Sequence, residues 1–179
     1  MPHYKKLVGE KVYLSPISLN DLQTYTTWVN DDEVGQYVGL DSRIISETNE
    51  REILEHMAKG GNHFAIIDIE TDKIIGGCGY ENINELHRTA SLGLFIGEKN
   101  YWSKGYGTDV MRLLLKFGFE IRNYHNISLY AHSFNPRAIA CYEKVGFKRQ
   151  GVKREVITRG NKKYYSIYMD ILAAEYFGK

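Results

Sequence analysis

Two glycines set between a strand pattern and a helix pattern limit this chain more than any other feature. The stretch Tyr101-Trp-Ser-Lys-Gly105-Tyr-Gly107-Thr108 follows a strand-like run over 89–96 and precedes a helical one. In the helical run Val110, Leu113, Leu114, Phe117 and Ile121 recur at i, i+3, i+4, i+7 and i+11, which predicts a helix over 105–121 with one apolar face. Glycines at its start let the backbone turn tightly and come close to a ligand. The first N–H groups of a helix have no partner one turn back, and with the helix dipole they suit a phosphate or pyrophosphate. Lys104 adds a positive charge there. The same residues also serve a plain strand-to-helix turn. They do not extend to a dinucleotide fingerprint, because Val110 stands where the third glycine belongs, and no Gly-Lys-Ser/Thr follows to make a P-loop.

A second pattern lies further on. Asn135-Pro136 reads as an N-cap and first helical position, and Gly146 as a C-terminal cap, which predicts a helix over 136–145. Ala138, Cys141, Tyr142 and Val145 share one face of it. Tyr142 therefore projects from a mostly apolar stripe, either as a core tyrosine or as a proton donor held over a cleft.

The remaining elements follow from periodicity and punctuation. Val12, Leu14 and Pro16 alternate as a short strand, and Ser18 with Asp21 has the capping-box pattern ahead of Leu22, Tyr25, Thr26 and Val29 at helical spacing. Residues 30–45 read as irregular, with an acidic cluster at Asp31, Asp32 and Glu33. A helix over 47–59 stops at Gly60-Gly61. Residues 63–69 and 73–81 read as a hairpin, 89–96 and 126–132 as strands, and 147–157 with 163–171 as two strands around Gly160-Asn161. This order implies an α/β (α+β) chain: a mixed, mostly antiparallel central sheet flanked by helices. No repeat and no Pro/Ser-rich linker divides the 179 residues, so a single domain over 1–179 is expected.

Bulk properties exclude several classes. A formal net charge of +1 speaks against a nucleic-acid binder that works by overall positive field. The apolar stretch Val110 to Phe119 is broken by Arg112 and Lys116, short of the roughly 20 residues a membrane span needs. The start Met-Pro-His-Tyr-Lys-Lys has no apolar export segment, and the two cysteines, Cys78 and Cys141, imply neither a disulfide framework nor a metal site. A cytoplasmic location is the expectation.

Taken together, the two motifs resemble those of the GNAT superfamily of N-acetyltransferases. Lys104-Gly-Tyr-Gly107-Thr108 resembles the core of that family's acetyl-CoA pyrophosphate loop, and Asn135 through Phe147 is similar to its pattern Asn-x-x-Ala-x-x-x-Tyr-x-x-x-Gly-Phe. The opening from Leu7 to Asn30 resembles the branch of ribosomal-protein N-terminal and spermidine acetyltransferases; Ile83 to Ala90 and Gly151 to Met169 lean to the spermidine type. The chain departs from the pattern at Trp102, where relatives carry Gln or Arg, and at Ser91, where many carry an acid. It also lacks the acids that spermidine-type enzymes place near Gly79 and Asn82.

The resemblance implies a GNAT fold and direct attack of a primary amine on the acetyl thioester, with acetyl-CoA as cosubstrate and no metal. It implies cofactor contacts from Phe95, Ile96, Lys104, Gly105, Tyr106, Gly107, Thr108, Asn135, Ala138 and Lys144. It places Tyr142 to protonate the departing thiolate, and a backbone N–H of 92–96 to meet the oxyanion. An alkyl ammonium of pKa ~10.4 lies about three units, roughly 4 kcal/mol, from the neutral form at pH 7. A base or ordered water must therefore take its proton. Glu81, on a strand expected to face the acceptor, is the first candidate, and a solvated strand-end acid is its plainer reading. The acidic run 31–33 is either an attractor of cationic amines or a solvated loop. The expected acceptor is a small amine such as a polyamine, amino sugar or aminoglycoside. A protein N-terminus is the alternative acceptor, and a non-catalytic acetyl-CoA sensor the alternative of another class. Homodimers are common among such relatives.

Overall fold

The computed structural model describes residues 3–39 and 43–178. Its strands are β1 (Leu7–Val8), β2 (Val12–Pro16), β3 (His63–Asp68), β4 (Ile74–Asn84), β5 (Thr89–Ile96), β6 (Asn126–His132), β7 (Lys148–Arg159) and β8 (Lys162–Leu172). Its helices are α1 (Leu22–Val29), α2 (Asp32–Val38), α3 (Glu47–Gly60), α4 (Tyr106–Lys116), α5 (Pro136–Val145) and α6 (Ala173–Phe177). The strands hydrogen-bond in the order β1-β2-β3-β4-β5-β6-β8-β7. β5 and β6 run parallel, while β1–β2, β2–β3, β3–β4, β6–β8 and β7–β8 are antiparallel. The mixed, mostly antiparallel sheet with flanking helices is therefore as the sequence implied.

The chain divides into two compact units. The first takes the chain through Gly79 together with Leu94–Leu113, and the second takes Tyr80–Gly93 with the chain from Leu114 onward. In the first unit, Leu22, Tyr25, Trp28, Val34 and Leu54 bury a cluster against which Ile17, Ile74, Phe95 and Trp102 pack. Tyr13, Ala65 and Ile67 form a neighbouring cluster. Glycine is required where strands approach: a Cβ on Gly76 would lie 2.2 Å from the Phe95 carbonyl oxygen. In the second unit Tyr80, Leu114, Phe119, Tyr124, Ile127, Leu129, Met169 and Ile171 are buried. The Tyr80 hydroxyl donates to the Leu114 carbonyl, which removes the cost of an unsatisfied phenol in an apolar setting.

Local signals set most boundaries. Ser46 caps α3 by accepting from Asn49 N–H at 3.2 Å, and Gly61 ends it in the left-handed region. Asn135 caps α5 by accepting from Ala138 N–H at 3.2 Å, and Gly146 closes it at φ 110°.

Three expectations are corrected. Residues 32–38 are helical, not irregular, because the Asp31 carboxylate accepts from the N–H groups of Glu33 and Val34, and Gly39 at φ 74° supplies the stop. Leu40 to Ser42, also read as irregular, lie outside the described residues. The helix from 106 does not hold an α-helical period to 121. A π-turn over Phe117–Ile121 follows α4, and its extra residue per turn rotates later positions by about 100°. Ile121 is thereby 67 % exposed instead of packed on the apolar face. β1 and α6 complete the element order that periodicity alone did not show.

Candidate active site

In the first unit the site is built around the turn into α4. Gly105 adopts φ +87°, and a Cβ there would meet only Lys11 Cε at 3.7 Å. Glycine is thus demanded by backbone rotation and not by lack of room. Its carbonyl accepts from Asp109 N–H at 3.1 Å and closes the first turn. The Asp109 carboxylate is buried and accepts from the N–H groups of Glu10 (3.3 Å), Lys11 (2.8 Å) and Val12 (3.1 Å), which anchors the start of α4 to the β1–β2 turn. Gly9 makes that approach possible, since its Cβ would stand 2.5 Å from Asp109 Oδ2. Trp102 donates its indole N–H to the Ile96 carbonyl at 2.7 Å and so fastens the loop to the end of β5.

The residues of the loop differ in exposure. Lys104 and Gly105 are exposed, whereas Tyr106, Gly107 and Thr108 are half-buried. The Lys11 ammonium lies 5.2 Å from the Tyr106 ring centre, and Tyr101 meets that ring edge-on at 4.8 Å. Burial, then the negative Asp68 and Glu70, push the Tyr106 phenol above its ordinary pKa. At Asp68 burial acts to raise the pKa, but hydrogen bonds from Thr71 and Tyr101 and from backbone N–H groups outweigh it and hold the carboxyl low. Phe95 packs edge-on against Tyr25 and Trp28, each at 6.1 Å.

In the second unit Tyr142 is 8 % exposed on α5, its ring 6.0 Å from Phe147. Burial, helped by Cys141, raises its phenol well above the ordinary value, so it carries its proton throughout the physiological range. Ala138 is half-buried on the same helix and Lys144 is exposed in its last turn. Asn135 spends its side-chain oxygen on the α5 cap. Glu81 is exposed on β4, its Oε1 3.6 Å from the position a Gly93 Cβ would take.

Phe95, Ile96 and Lys104 to Thr108 thus belong to the first unit, and Glu81, Asn135, Ala138, Tyr142 and Lys144 to the second. The acidic run is not a loop but the start of a helix at the surface. Asp31 caps α2 and pairs with Lys99 at 2.8 Å, Glu33 binds the same ammonium, and the Lys99 hydrogen bond holds the Asp31 carboxyl below its usual range. Reasoning from sequence missed Asp109 and the indole of Trp102, whose partners no local pattern reveals. It also missed Glu50, a buried carboxylate in the first turn of α3. Among the described residues no three His, Cys, Asp or Glu side chains cluster to hold a metal, and no helix is long and apolar enough to cross a membrane.

Comparison with known proteins adds independent findings. The family described as acetyltransferase (GNAT) domain matches residues 11–148. An uncharacterised N-acetyltransferase, p20 of Bacillus licheniformis, is 26 % identical over 178 residues, 96 % of this chain and 98 % of that one. Among solved structures, spermidine N-acetyltransferase from Vibrio cholerae in complex with CoA and spermine superposes with a TM-score of 0.82. It is 23 % identical and covers 93 % of this chain and 98 % of that one. A GNAT acetyltransferase from Bacillus anthracis gives 0.81 at 23 % identity, covering 94 % and 99 %.

Proposed function

The chain belongs to the GNAT acetyltransferases and is an acyltransferase; from that premise we propose that it moves the acetyl group of acetyl-CoA directly to the primary amine of a small molecule, a polyamine, amino sugar or aminoglycoside. The observation that carries the reading is the turn at Gly105, held in a left-handed conformation, exposed, and flanked on the side where a Cβ would project by the end of the Lys11 side chain. There the first N–H groups of α4 and the Lys104 ammonium form an anion site for the pyrophosphate of CoA. Phe95, Ile96, Tyr106, Gly107 and Thr108 flank the cofactor in this reading, and Asn135, Ala138 and Lys144 contribute contacts from α5.

Chemistry then needs three devices. Glu81 accepts a proton from the incoming ammonium, directly or through water, so that the neutral nitrogen attacks the thioester carbonyl. A backbone N–H of the stretch 92–96 donates to the oxyanion as the C–N bond forms. As the C–S bond breaks, Tyr142 gives its proton to the departing CoA sulfur and regains one, directly or through water, from the nitrogen, which sheds its second proton to become the amide. A thiolate of pKa near ~8.5 is a weaker base than a tyrosinate, so the donation is uphill by itself and proceeds coupled to the loss of the proton from the nitrogen. The buried phenol guarantees that the proton is present.

The test is release of CoA thiol with a panel of amines, run on the wild type and on Tyr142→Phe. Release that depends on the amine, with turnover of the variant lowered by about 10²-fold or more and acetyl-CoA affinity retained, is the expected result. Equal turnover in the two proteins would remove Tyr142 from the reaction. Tight acetyl-CoA binding without release on any amine would favour a sensor.

A further inference from the structure

In the second unit one face of the sheet carries exposed tyrosine side chains. Along β6 the residues Ile127, Leu129 and Ala131 are buried, while Tyr130 between them is 56 % exposed. Along β8, Ile167, Met169 and Ile171 are buried and Tyr168 is 42 % exposed. Register places Tyr130 opposite Tyr168 and Ser128 opposite Asp170, so all four side chains stand on the same face. The two tyrosine rings lie side by side, their centres 5.7 Å apart. The parallel partner of Ser128 is Ser91, its hydroxyl oxygen 3.3 Å away. Gly93, two residues on, faces the same way and is overhung by the Glu81 carboxylate.

Glu81 stands at one side of this face and Asp170 at the other, with exposed tyrosine rings beside Asp170; on β7, Lys153 opposite Ser166 adds a positive charge at the outer edge. Asp170 accepts from Asn126 Nδ2 at 3.0 Å and Gln150 Nε2 at 2.7 Å. Both donors are neutral, so its charge is not cancelled. Lys148, its register partner on β7, sends its ammonium to Glu175. Glu81 on β4 and Asp170 on β8 are separated by three strand spacings, about 14 Å. Between them lie the small residues Gly93, Ser91 and Ser128. Two carboxylates with electron-rich ring faces beside one of them attract cations and repel anions.

We propose that Tyr130, Tyr168 and Asp170 form a subsite for a second, distant ammonium group of the acceptor, so that the enzyme selects an extended aliphatic polyamine over a monoamine or a compact amino sugar. The assignment rests on the acetyltransferase reading, which puts the reacting nitrogen beside Glu81. Asp170 binds the far ammonium, the tyrosine rings cover the chain and its charge, and the small residues Gly93, Ser91 and Ser128 leave room for an alkyl segment between the two carboxylates.

The experiment is calorimetric titration of spermine into CoA-saturated protein, wild type against Asp170→Asn and against the double variant Tyr130→Leu, Tyr168→Leu. Thiol release with octanediamine and with octylamine is measured in parallel. Glu52→Gln, an exposed change of the same charge on α3, serves as the electrostatic control. The expected result is a roughly five- to tenfold weaker spermine Kd in both face variants, little change in the control, and a matching fall in the preference for diamine over monoamine. Because binding is read without turnover, a failure of the acetyltransferase reading would appear separately, as spermine binding with no thiol release. Unchanged spermine affinity in the face variants, or an equal loss in Glu52→Gln, overturns the subsite.

Discussion

Glu50 is 3 % exposed in the first turn of α3, and burial alone raises its carboxyl pKa. A raised folded-state pKa means that the native protein binds this proton more tightly than the unfolded chain does. The stabilising contribution is therefore complete below the ordinary carboxylate range and is lost as pH climbs through the raised value. Glu50→Gln removes the titration and keeps the shape. The stability of the variant relative to wild type should rise between pH 4 and pH 7.5, as read by thermal melts across that range. A difference that stays constant with pH would show that Glu50 is not desolvated in solution. Burial of a charged residue at a helical position is invisible in the sequence, where Glu50 reads as an ordinary first-turn acid that favours the helix dipole. Tyr142 is the opposite case. Its place on an apolar stripe was legible, and the structure adds the burial that fixes its protonation state.

At the scale of elements, the turn into α4 joins three separate constraints: the left-handed Gly105, the indole of Trp102 on the Ile96 carbonyl, and Asp109 on three N–H groups of the β1–β2 turn. The glycine pattern and the helix after it were readable because they are local. The partners of Asp109 lie 97 to 99 residues earlier, so no window of sequence contains them. Two substitutions separate conformation from charge at Gly105. Gly105→Ala should cost about 1 kcal/mol of stability through the left-handed backbone and leave most acetyl-CoA affinity. Gly105→Asp should cost a similar amount and also weaken acetyl-CoA binding by ~10-fold or more, because its carboxylate meets the pyrophosphate. Equal affinities of the two variants, measured by calorimetry, would move the cofactor phosphates away from this turn. Helix α2 carries a related lesson. Its Asp31-Asp-Glu start is an N-terminal signal, yet a run of acids reads as a loop until the cap and the Lys99 pairing are seen.

For the whole molecule, a ligand bound only by the native state adds stability in proportion to the logarithm of its concentration. Acetyl-CoA at about 100 times its Kd should add ~2.7 kcal/mol, which for a chain of this size is a rise in Tm of roughly 5–10 °C. In Gly105→Asp, at equal ligand concentration, a tenfold weaker Kd should cut the gain to ~1.4 kcal/mol, about half the shift. A wild-type melt indifferent to acetyl-CoA would count against the cosubstrate itself.

The sequence by itself determined the helices over 22–29, 47–59 and 136–145, the order of every strand but β1 and both motifs, because caps, periodicity and turn residues act between neighbours in the chain. It also carried the resemblance that the family match bears out. Only the tertiary structure decided the π-turn that turns Ile121 outward, the capture of Asp31 and Glu33 by Lys99, and the anchoring of α4 by Asp109. It alone decided that Tyr130 and Tyr168 of β6 and β8 stay exposed. These depend on strand register and on contacts between residues far apart, where the winning arrangement is the one that buries apolar surface and satisfies hydrogen bonds over the whole unit, not along one segment.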